Sequence, residues 1–228
     1  MQIAVAELVF DQSLYPRSKP SLHNIAAIAE AMRAGVKFKP IVVEKKTWRI
    51  VDGVHRWTAW KQVHGKDSKI DCDVISESDE GKLLAMSVDL NAEHGLQLAA
   101  FERTDCLIRM ERLGVTREDA LKALRMTELK AERIDNTRTA YRIGDTGEKE
   151  KVALKQTMRR FHGETLTAKQ EKANEHSSGM KIQFYVAQLI YLLDAGVAAR
   201  ATQSELAFLF RLRDSLADKL PTTKRKNK

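Results

Sequence analysis

The sequence predicts an α+β protein in which short strands are confined to the first 95 residues and helices form the rest. One observation is that "KPIVVE", "TWRIVD" and "IDCDVI" read as short apolar or alternating segments, as strands do, with a short bend between the first two and a helical segment before the third. The other is that apolar residues recur at helical spacing from residue 98 onward. We therefore predict a small α/β domain followed by an all-helical part.

The N-terminal elements follow from local signals. Ser21 is expected to cap a first helix, which Gly35 ends. "KPIVVE" and "TWRIVD" are predicted to form a hairpin-like pair of strands. A helix is expected from about residue 54 to His64, then the strand "IDCDVI" and a helix over "DEGKLLAMSVDLNAEHG".

Three helices are predicted next, over "LAAFERTDCLIRMERLG", "REDALKALR" and "ELKAERIDNTRTAYRI". Thr116 and Thr127 are expected to cap the second and third. Helices joined this closely have the outline of a helix-turn-helix region. The segment "GDTGEKE" is rich in glycine and charge and is interpreted as a linker. The predicted parts are a domain at 1–95, a helix-turn-helix region at 96–143, a linker at 144–150, a helical C-terminal domain at 151–220 and a basic tail at 221–228.

Composition limits the class of protein. Cys72 and Cys106 are too few for a disulfide framework or a zinc site, and the histidines show no metal-ligand spacing. No run approaches the roughly 18 apolar residues that span a bilayer, and the N-terminus lacks the features of a signal peptide. We therefore expect a cytoplasmic protein with no membrane contact and no metal site.

The net charge of +8 is concentrated in one part of the chain. Residues 1–95 hold 13 basic and 13 acidic side chains, and residues 96–150 hold 11 of each. Residues 151–228 hold 15 basic and 7 acidic side chains and carry the whole excess. A basic segment beside a neutral body indicates a polyanionic partner such as nucleic acid. The alternative is a solvated helical surface followed by a disordered basic tail.

The segment "RIVDGVHRWTAW" combines a glycine, a histidine and an arginine where a strand is expected to become a helix. Gly53 allows a ligand to approach the backbone, and the first amides of a helix attract anions. Arg56 and His55 add side-chain donors, so the segment suits phosphate. The alternative is that Asp52 caps the helix while His55 and Arg56 are merely solvated.

Several motifs together resemble the ParB/sulfiredoxin family. The matching segments are "YPR" at 15–17, "KPIVV" at 39–43, "DGVHRWTA" at 52–59 and "NAEHGLQL" at 91–98. Within that family the chain resembles the regulators that carry DGxHR followed by NxxHGL. The resemblance implies a ParB-like N-terminal fold and covers about residues 8–140.

The resemblance also implies a phosphate or nucleotide pocket. Its residues would be Arg17, Gly53, His55, Arg56, Asn91 and His94. In partition ParBs the nucleotide is CTP with a magnesium ion, which clamps a DNA-bound dimer. Leu90 stands where those proteins carry a glutamate near the metal, so the resemblance leaves magnesium open. Val54 replaces the reactive cysteine of sulfiredoxins, which disfavours their reductase activity.

DNA contacts are predicted in two segments. The third helix of the helix-turn-helix region carries donors that suit base edges and phosphates, namely Lys130, Arg133, Asn136 and Arg138. Alternatively, Glu128, Glu132 and Asp135 neutralise that face. A second group, Lys155, Arg159 and Arg160, is expected to share one helical face and to contact phosphates, together with the basic tail.

The apolar segment at 184–193 is too apolar for an exposed helix, which favours a core over a self-association face. With Leu206, Leu209, Leu212 and Leu216 it is also suited to a helical homodimer interface.

The leading hypothesis is a ParB-like, homodimeric DNA-binding protein that acts in plasmid or phage partition or in transcriptional regulation and binds CTP or another nucleotide. The alternative is a phosphotransferase or nuclease in which His55 or Asp52 is the acid/base and Arg56 stabilises the transferred phosphate. A third hypothesis is a degenerate pocket in a domain that docks to other proteins.

Overall fold

We describe a computed structural model of the chain for residues 1–94, 97–177 and 182–219, without the side chains of residues 93, 94, 182 and 219. The chain divides into two units, Met1–Gly179 and Met180–Lys228. Each unit is described by itself, and the combination of strands and helices is the predicted α+β class.

The first unit begins with a four-stranded sheet and three helices. In chain order they are β1 (Gln2–Ala4), α1 (Leu22–Arg33), β2 (Ile41–Glu44), β3 (Ile50–Asp52), α2 (Val54–His64), β4 (Lys69–Ile75) and α3 (Glu80–His94). The strand order is β1-β4-β2-β3, and only the pair β2 and β4 is parallel. The predicted helices and strands of this region are confirmed. The strand β1 was not predicted, because it depends on pairing with residues about 70 positions away, as in Ile3 opposite Ile70.

Burial on both faces holds this sheet between helices. Val43 and Ile50 lie in one core with Val54 of α2, whereas Val51 lies on the other side with Leu83 of α3. The hydroxyl of Ser21 accepts a hydrogen bond from the N–H of Asn24, as the predicted cap requires. The loops between these elements therefore meet over the edge of the sheet.

Three short helices follow, α4 (Ala100–Arg112), α5 (Arg117–Ala123) and α6 (Glu128–Asp135). They share one apolar core with α3, in which Leu107 and Met110 are fully buried. The turn between α5 and α6 has no glycine, and Arg125 adopts the left-handed conformation that such a turn needs, with φ of +50°. The positions of these three helices confirm the predicted order, and Leu121 fits into the core.

The predicted linker and the second half of the predicted third helix are wrong. Residues after α6 form β5 (Thr139–Ile143), which pairs with β6 (Lys149–Ala153) in an antiparallel hairpin. Residues 144–148 are its turn, closed by the N–H of Gly144 on the carbonyl of Glu148 at 2.9 Å. The β-branched and aromatic residues of "TRTAYRI" favour a strand once a partner is present, and the all-helical interpretation missed this pairing.

The helix predicted over "KVALKQTMRRF" is also wrong. Its first residues belong to β6, and Gln156–Phe161 is a short 3₁₀ helix. The polar segment after it contains α7 (Ala168–His176), which begins with a reciprocal cap between Thr167 and Gln170. A small core of Ala140, Leu154, Met158 and Leu166 explains why β5 and the 3₁₀ helix lie together.

The second unit contains α8 (Ile182–Asp194) and α9 (Gln203–Lys219), both predicted as helices. Its apolar side chains are exposed, with Phe184 at 45%, Tyr191 at 71% and Phe208 at 68%. The prediction that residues 184–193 form a buried core is therefore wrong within the described part of the chain. Among the described residues, no helix combines the length and the apolar character needed to span a bilayer.

Candidate functional site

A cavity of about 770 Å³ lies where the first helices meet the sheet. Five of the six predicted phosphate-binding residues line it: Arg17, Gly53, His55, Arg56 and Asn91. The side chain of the sixth, His94, lies outside the described residues. The cavity therefore brings together residues that lie up to 74 positions apart.

Gly53 shapes the wall of this cavity by having no side chain. It precedes α2 with φ of +99°, and a Cβ atom at this position would lie 2.6 Å from Cγ2 of Ile41. The N–H of Trp57 bonds to the carbonyl of Gly53 at 2.8 Å, and the N–H groups before it cannot form such bonds within the helix. The start of α2 consequently presents backbone donors and the positive end of its dipole at the cavity.

Arg56 holds the cavity wall rather than extending freely into it. Its Nη1 donates to the carbonyls of Lys39 and Pro40 at 2.7 and 2.9 Å. Its Nη2 donates to Oδ2 of Asp52 at 2.6 Å. These bonds use three of its five N–H groups, so at most two remain for a ligand. Asp52 is engaged in the same ion pair, which does not suit it as a general base.

His55 is oriented by the backbone. Its Nε2 accepts a hydrogen bond from the N–H of Ser21 at 2.9 Å, which assigns the ring proton to Nδ1. Burial lowers the pKa of His55, and the positive charge of Arg17 lowers it further against the opposing effect of Asp52. A neutral imidazole whose basic nitrogen is occupied acts as a hydrogen-bond donor more readily than as an acid/base.

Arg17 and Asn91 line the cavity and are joined by a hydrogen bond. Nη2 of Arg17 donates to Oδ1 of Asn91 at 3.2 Å, and Nη1 lies 3.8 Å from Oε2 of Glu102. The amide Nδ2 of Asn91 is buried and has no acceptor among the described residues. Because a buried donor without an acceptor costs free energy, this amide suits an acceptor on a ligand.

The polar atoms of the cavity suit an anion better than a metal ion. Leu90 lines the cavity without supplying an oxygen ligand, and Asp52 is held by Arg56. In the part of the chain that the structure describes, no three His, Cys, Asp or Glu side chains are grouped as a metal site. Magnesium would therefore depend on the ligand's own phosphates and on water for most of its coordination.

The chain was compared with family models, curated proteins and solved structures. No family model matches the chain. The transcriptional regulator NovG of Streptomyces niveus is 30% identical over 131 residues, which cover 58% of this chain and 39% of that protein. The chain thus spans about two fifths of the length of this curated relative.

Two solved structures are of the C-terminally truncated chromosome-partitioning protein ParB from Caulobacter crescentus. The complex with the centromeric parS site is 17% identical, with a TM-score of 0.43, over 58% of this chain and 68% of that chain. The complex with CTP-γ-S is 19% identical, with a TM-score of 0.36, over 57% and 73%. The chain is similar to ParB proteins. The ParB-like resemblance that the motifs indicate is thereby confirmed as a similarity.

The helix α6 exposes most of the predicted base-reading residues. Lys130, Arg133 and Asn136 are exposed, whereas Ala131 and Ile134 are buried in the core. Arg138 is half-buried just beyond the helix. The face of α6 that carries Lys130, Arg133 and Asn136 is thus accessible in this unit.

Arg117 binds Glu128 and Asp135, two of the three acids that could neutralise the exposed face of α6. Its Nε donates to Glu128 at 2.7 Å, its Nη1 to Glu111 at 2.7 Å and its Nη2 to Asp135 at 2.9 Å. The hydrogen bond that Arg117 donates to Glu128 raises the pKa of Arg117. Only Glu132 of the three acids stays exposed without an ion pair among the described residues. The sequence reasoning missed Arg117, whose partners lie 6, 11 and 18 positions away.

The second predicted group does not share one helical face, because its segment is a 3₁₀ helix and not an α-helix. Nζ of Lys155 donates to the carbonyls of Glu175 and Ser177 and lies 5.3 Å from the ring centre of Phe101. Arg159 is half-buried, and Arg160 is exposed. The prediction that these three residues share one face of an α-helix is therefore wrong. The basic tail lies outside the described residues.

Proposed function

We propose that this chain is a cytoplasmic, ParB-like DNA-binding protein in which α6 reads DNA from a helix-turn-helix arrangement. The observation that carries this proposal is the exposed face of α6, where Lys130, Arg133 and Asn136 stand clear of the acids that Arg117 binds. Arginine and asparagine side chains on such a helix match the donor and acceptor patterns of the major groove. The similarity to a transcriptional regulator favours control of transcription, and plasmid or phage partition is the other role.

The test measures binding of a labelled mixed-sequence duplex by fluorescence anisotropy over a range of salt concentrations. Lys130→Gln combined with Arg133→Gln should weaken binding about tenfold. It should also reduce the slope of log K against log salt by about two, the value expected for the loss of two phosphate contacts. Lys45→Gln combined with Lys46→Gln removes the same charge from an exposed bend between β2 and β3 and serves as the matched control. Wild-type protein that shows no salt-sensitive binding would contradict the proposal.

We further propose that the cavity binds the phosphates of a nucleotide, CTP or another. Support comes from the donors that meet there: the first amides of α2, Nδ1 of His55, Arg17 and the amide of Asn91. Because Arg56 pairs with the carboxylate of Asp52, the negative charge of Asp52 is offset and repels a bound phosphate less. The same occupied groups give no support to a phosphotransferase or nuclease mechanism through His55 or Asp52.

A calorimetric screen of CTP, ATP, ADP and GTP, with and without Mg²⁺, tests the cavity. We expect binding by wild type and at least about tenfold weaker binding by Asn91→Asp, because the new carboxylate would pair with Arg17 and repel phosphate. Asn136→Asp changes the net charge equally at an exposed site outside the cavity lining and should bind as wild type does. Equal affinity of wild type and Asn91→Asp would remove Asn91 from the site, and no binding of any nucleotide would overturn the proposal.

The exposed apolar side chains of α8 and α9 support a homodimer formed through the second unit. Phe184, Tyr191 and Phe208 lie on its surface in one chain, and apolar groups of this size are normally covered by a partner. We propose that a second copy covers them. Sedimentation velocity should show a dimer that Tyr191→Glu converts to a monomer.

A further inference from the structure

Four arginines come from segments of the chain that meet beside α6. Arg103 lies in the first turns of α4, Arg133 in the last turn of α6, Arg138 before β5 and Arg159 in the 3₁₀ helix. We call them the arginine cluster. Three of them, Arg133, Arg138 and Arg159, are predicted DNA-binding residues, whereas Arg103 is not.

Backbone hydrogen bonds bring these segments together. The N–H of Arg138 donates to the carbonyl of Ile134 at 2.8 Å, which continues the end of α6. Its carbonyl accepts from the N–H of Leu154 at 2.7 Å, which brings in the segment that leads to Arg159. Lys155, against the ring of Phe101, brings the same segment to the start of α4 and thus to Arg103.

The neighbouring carboxylates are engaged elsewhere. Glu102, beside Arg103 in sequence, accepts from the N–H groups of Ala99 at 2.8 Å and Ser18 at 3.2 Å. Asp135, near Arg138 in sequence, is bound by Arg117 and by Nζ of Lys151. Across the described ranges, no member of the arginine cluster has a carboxylate within ion-pair distance.

The charges of the arginine cluster therefore oppose one another. Burial lowers the pKa of Arg138, and the positive charges of Arg159, Arg103 and Arg133 lower it further. Nε of Arg159 is buried without an acceptor among the residues that the structure describes. By contrast, Arg117 and Arg49 each bind several carboxylates. Cationic groups gathered without acids cost free energy that a bound polyanion would offset.

We propose that the arginine cluster is a phosphate-binding site that holds the DNA backbone beside the helix α6. The proposal rests on the proposed DNA-binding function and adds a sequence-independent contact through Arg103, Arg138 and Arg159, which lie outside the two helices α5 and α6. Arg133 joins the cluster to the exposed face of α6, so one duplex can contact both. Guanidinium groups from four segments match the successive phosphates of a polymer better than a single free phosphate.

The experiment compares wild type with Arg138→Gln, Arg159→Gln and their combination in salt titrations of labelled duplexes of several sequences. Each substitution should reduce the slope of log K against log salt by about one and weaken binding by a similar factor for every sequence. Melting temperatures of the free variants should equal or exceed that of wild type, because each change removes like-charge repulsion. Arg103→Gln, in another segment, repeats the measurement should the first variants fail to fold.

Arg142→Gln is the matched control, because it removes one charge from the neighbouring strand β5 at a residue paired with Glu150. Its slope should stay near that of wild type. If the salt slopes of the cluster variants fall no further than that of Arg142→Gln, the proposal is overturned. The proposed function would still stand in that case, provided that the wild type binds DNA. Wild-type protein without salt-sensitive DNA binding would overturn both.

Discussion

Replacing Gly53 with alanine is expected to destabilise the folded chain by about 3 kcal/mol and to disrupt the cavity. Two physical effects add. The backbone of Gly53 has φ of +99°, where an L-residue is strained, and the new Cβ would lie 2.6 Å from Cγ2 of Ile41. Ile41 is 1% exposed and lies in the core, so it cannot move aside cheaply. The Cβ would also lie 3.0 Å from Nη2 of Arg56 and disturb its bonds to the cavity wall.

Thermal unfolding measures this loss, which corresponds to a melting temperature lower by about 6–12 °C. Gly65→Ala is the matched control, because Gly65 ends the same helix with φ of +85° and a Cβ there would meet nothing within 4 Å. That variant bears only the conformational strain, about 1–2 kcal/mol. If the two variants lost equal free energy of unfolding, the close contact between the new Cβ and Ile41 would contribute nothing to the loss.

Replacing Arg117 with methionine is expected to cost about 2 kcal/mol of stability and to weaken DNA binding. Methionine keeps the length of the side chain but leaves Glu111, Glu128 and Asp135 without their shared partner. The side chain is 34% exposed, and solvent screening keeps the loss below that of a fully buried network. The freed carboxylate of Glu128 would then face the phosphates that approach Lys130.

Urea unfolding and duplex titration of the same variants measure the two effects. Arg117→Lys retains the charge without the forked geometry and should fall between wild type and Arg117→Met. Arg142→Met removes an arginine that binds one carboxylate, that of Glu150, and should lose much less stability. If Arg117→Met matched wild type in both measurements, the three-carboxylate contact would have no role in positioning α6.

Much of the first 95 residues could be predicted because its signals are local. Ser21 caps α1 through its own hydroxyl, and Gly53 and Gly65 delimit α2 through conformations that other residues avoid. The residues of the cavity, such as Arg17 and Asn91, lie far apart in sequence, and only the motif resemblance indicated that they would meet. Their hydrogen-bond partners could not be predicted, including the bonds that occupy Arg56 and His55.

The region after α6 could not be predicted from local signals. Residues 139–153 read as helix and linker because a strand of five residues has little preference until a partner strand pairs with it. The α-helix expected at 151–161 gave way to β6 and a 3₁₀ helix for the same reason, since Leu154 and Met158 are buried with Ala140.

By itself, the sequence determined the α+β class, the boundaries of α1 and α2 and the glycine turn at Gly53, because caps and backbone conformation act over a few residues. The tertiary structure decided the hairpin of β5 and β6, the carboxylates that Arg117 binds and the arginine cluster. Those features depend on contacts between distant segments, and electrostatic and packing free energies depend on distance in space rather than along the chain.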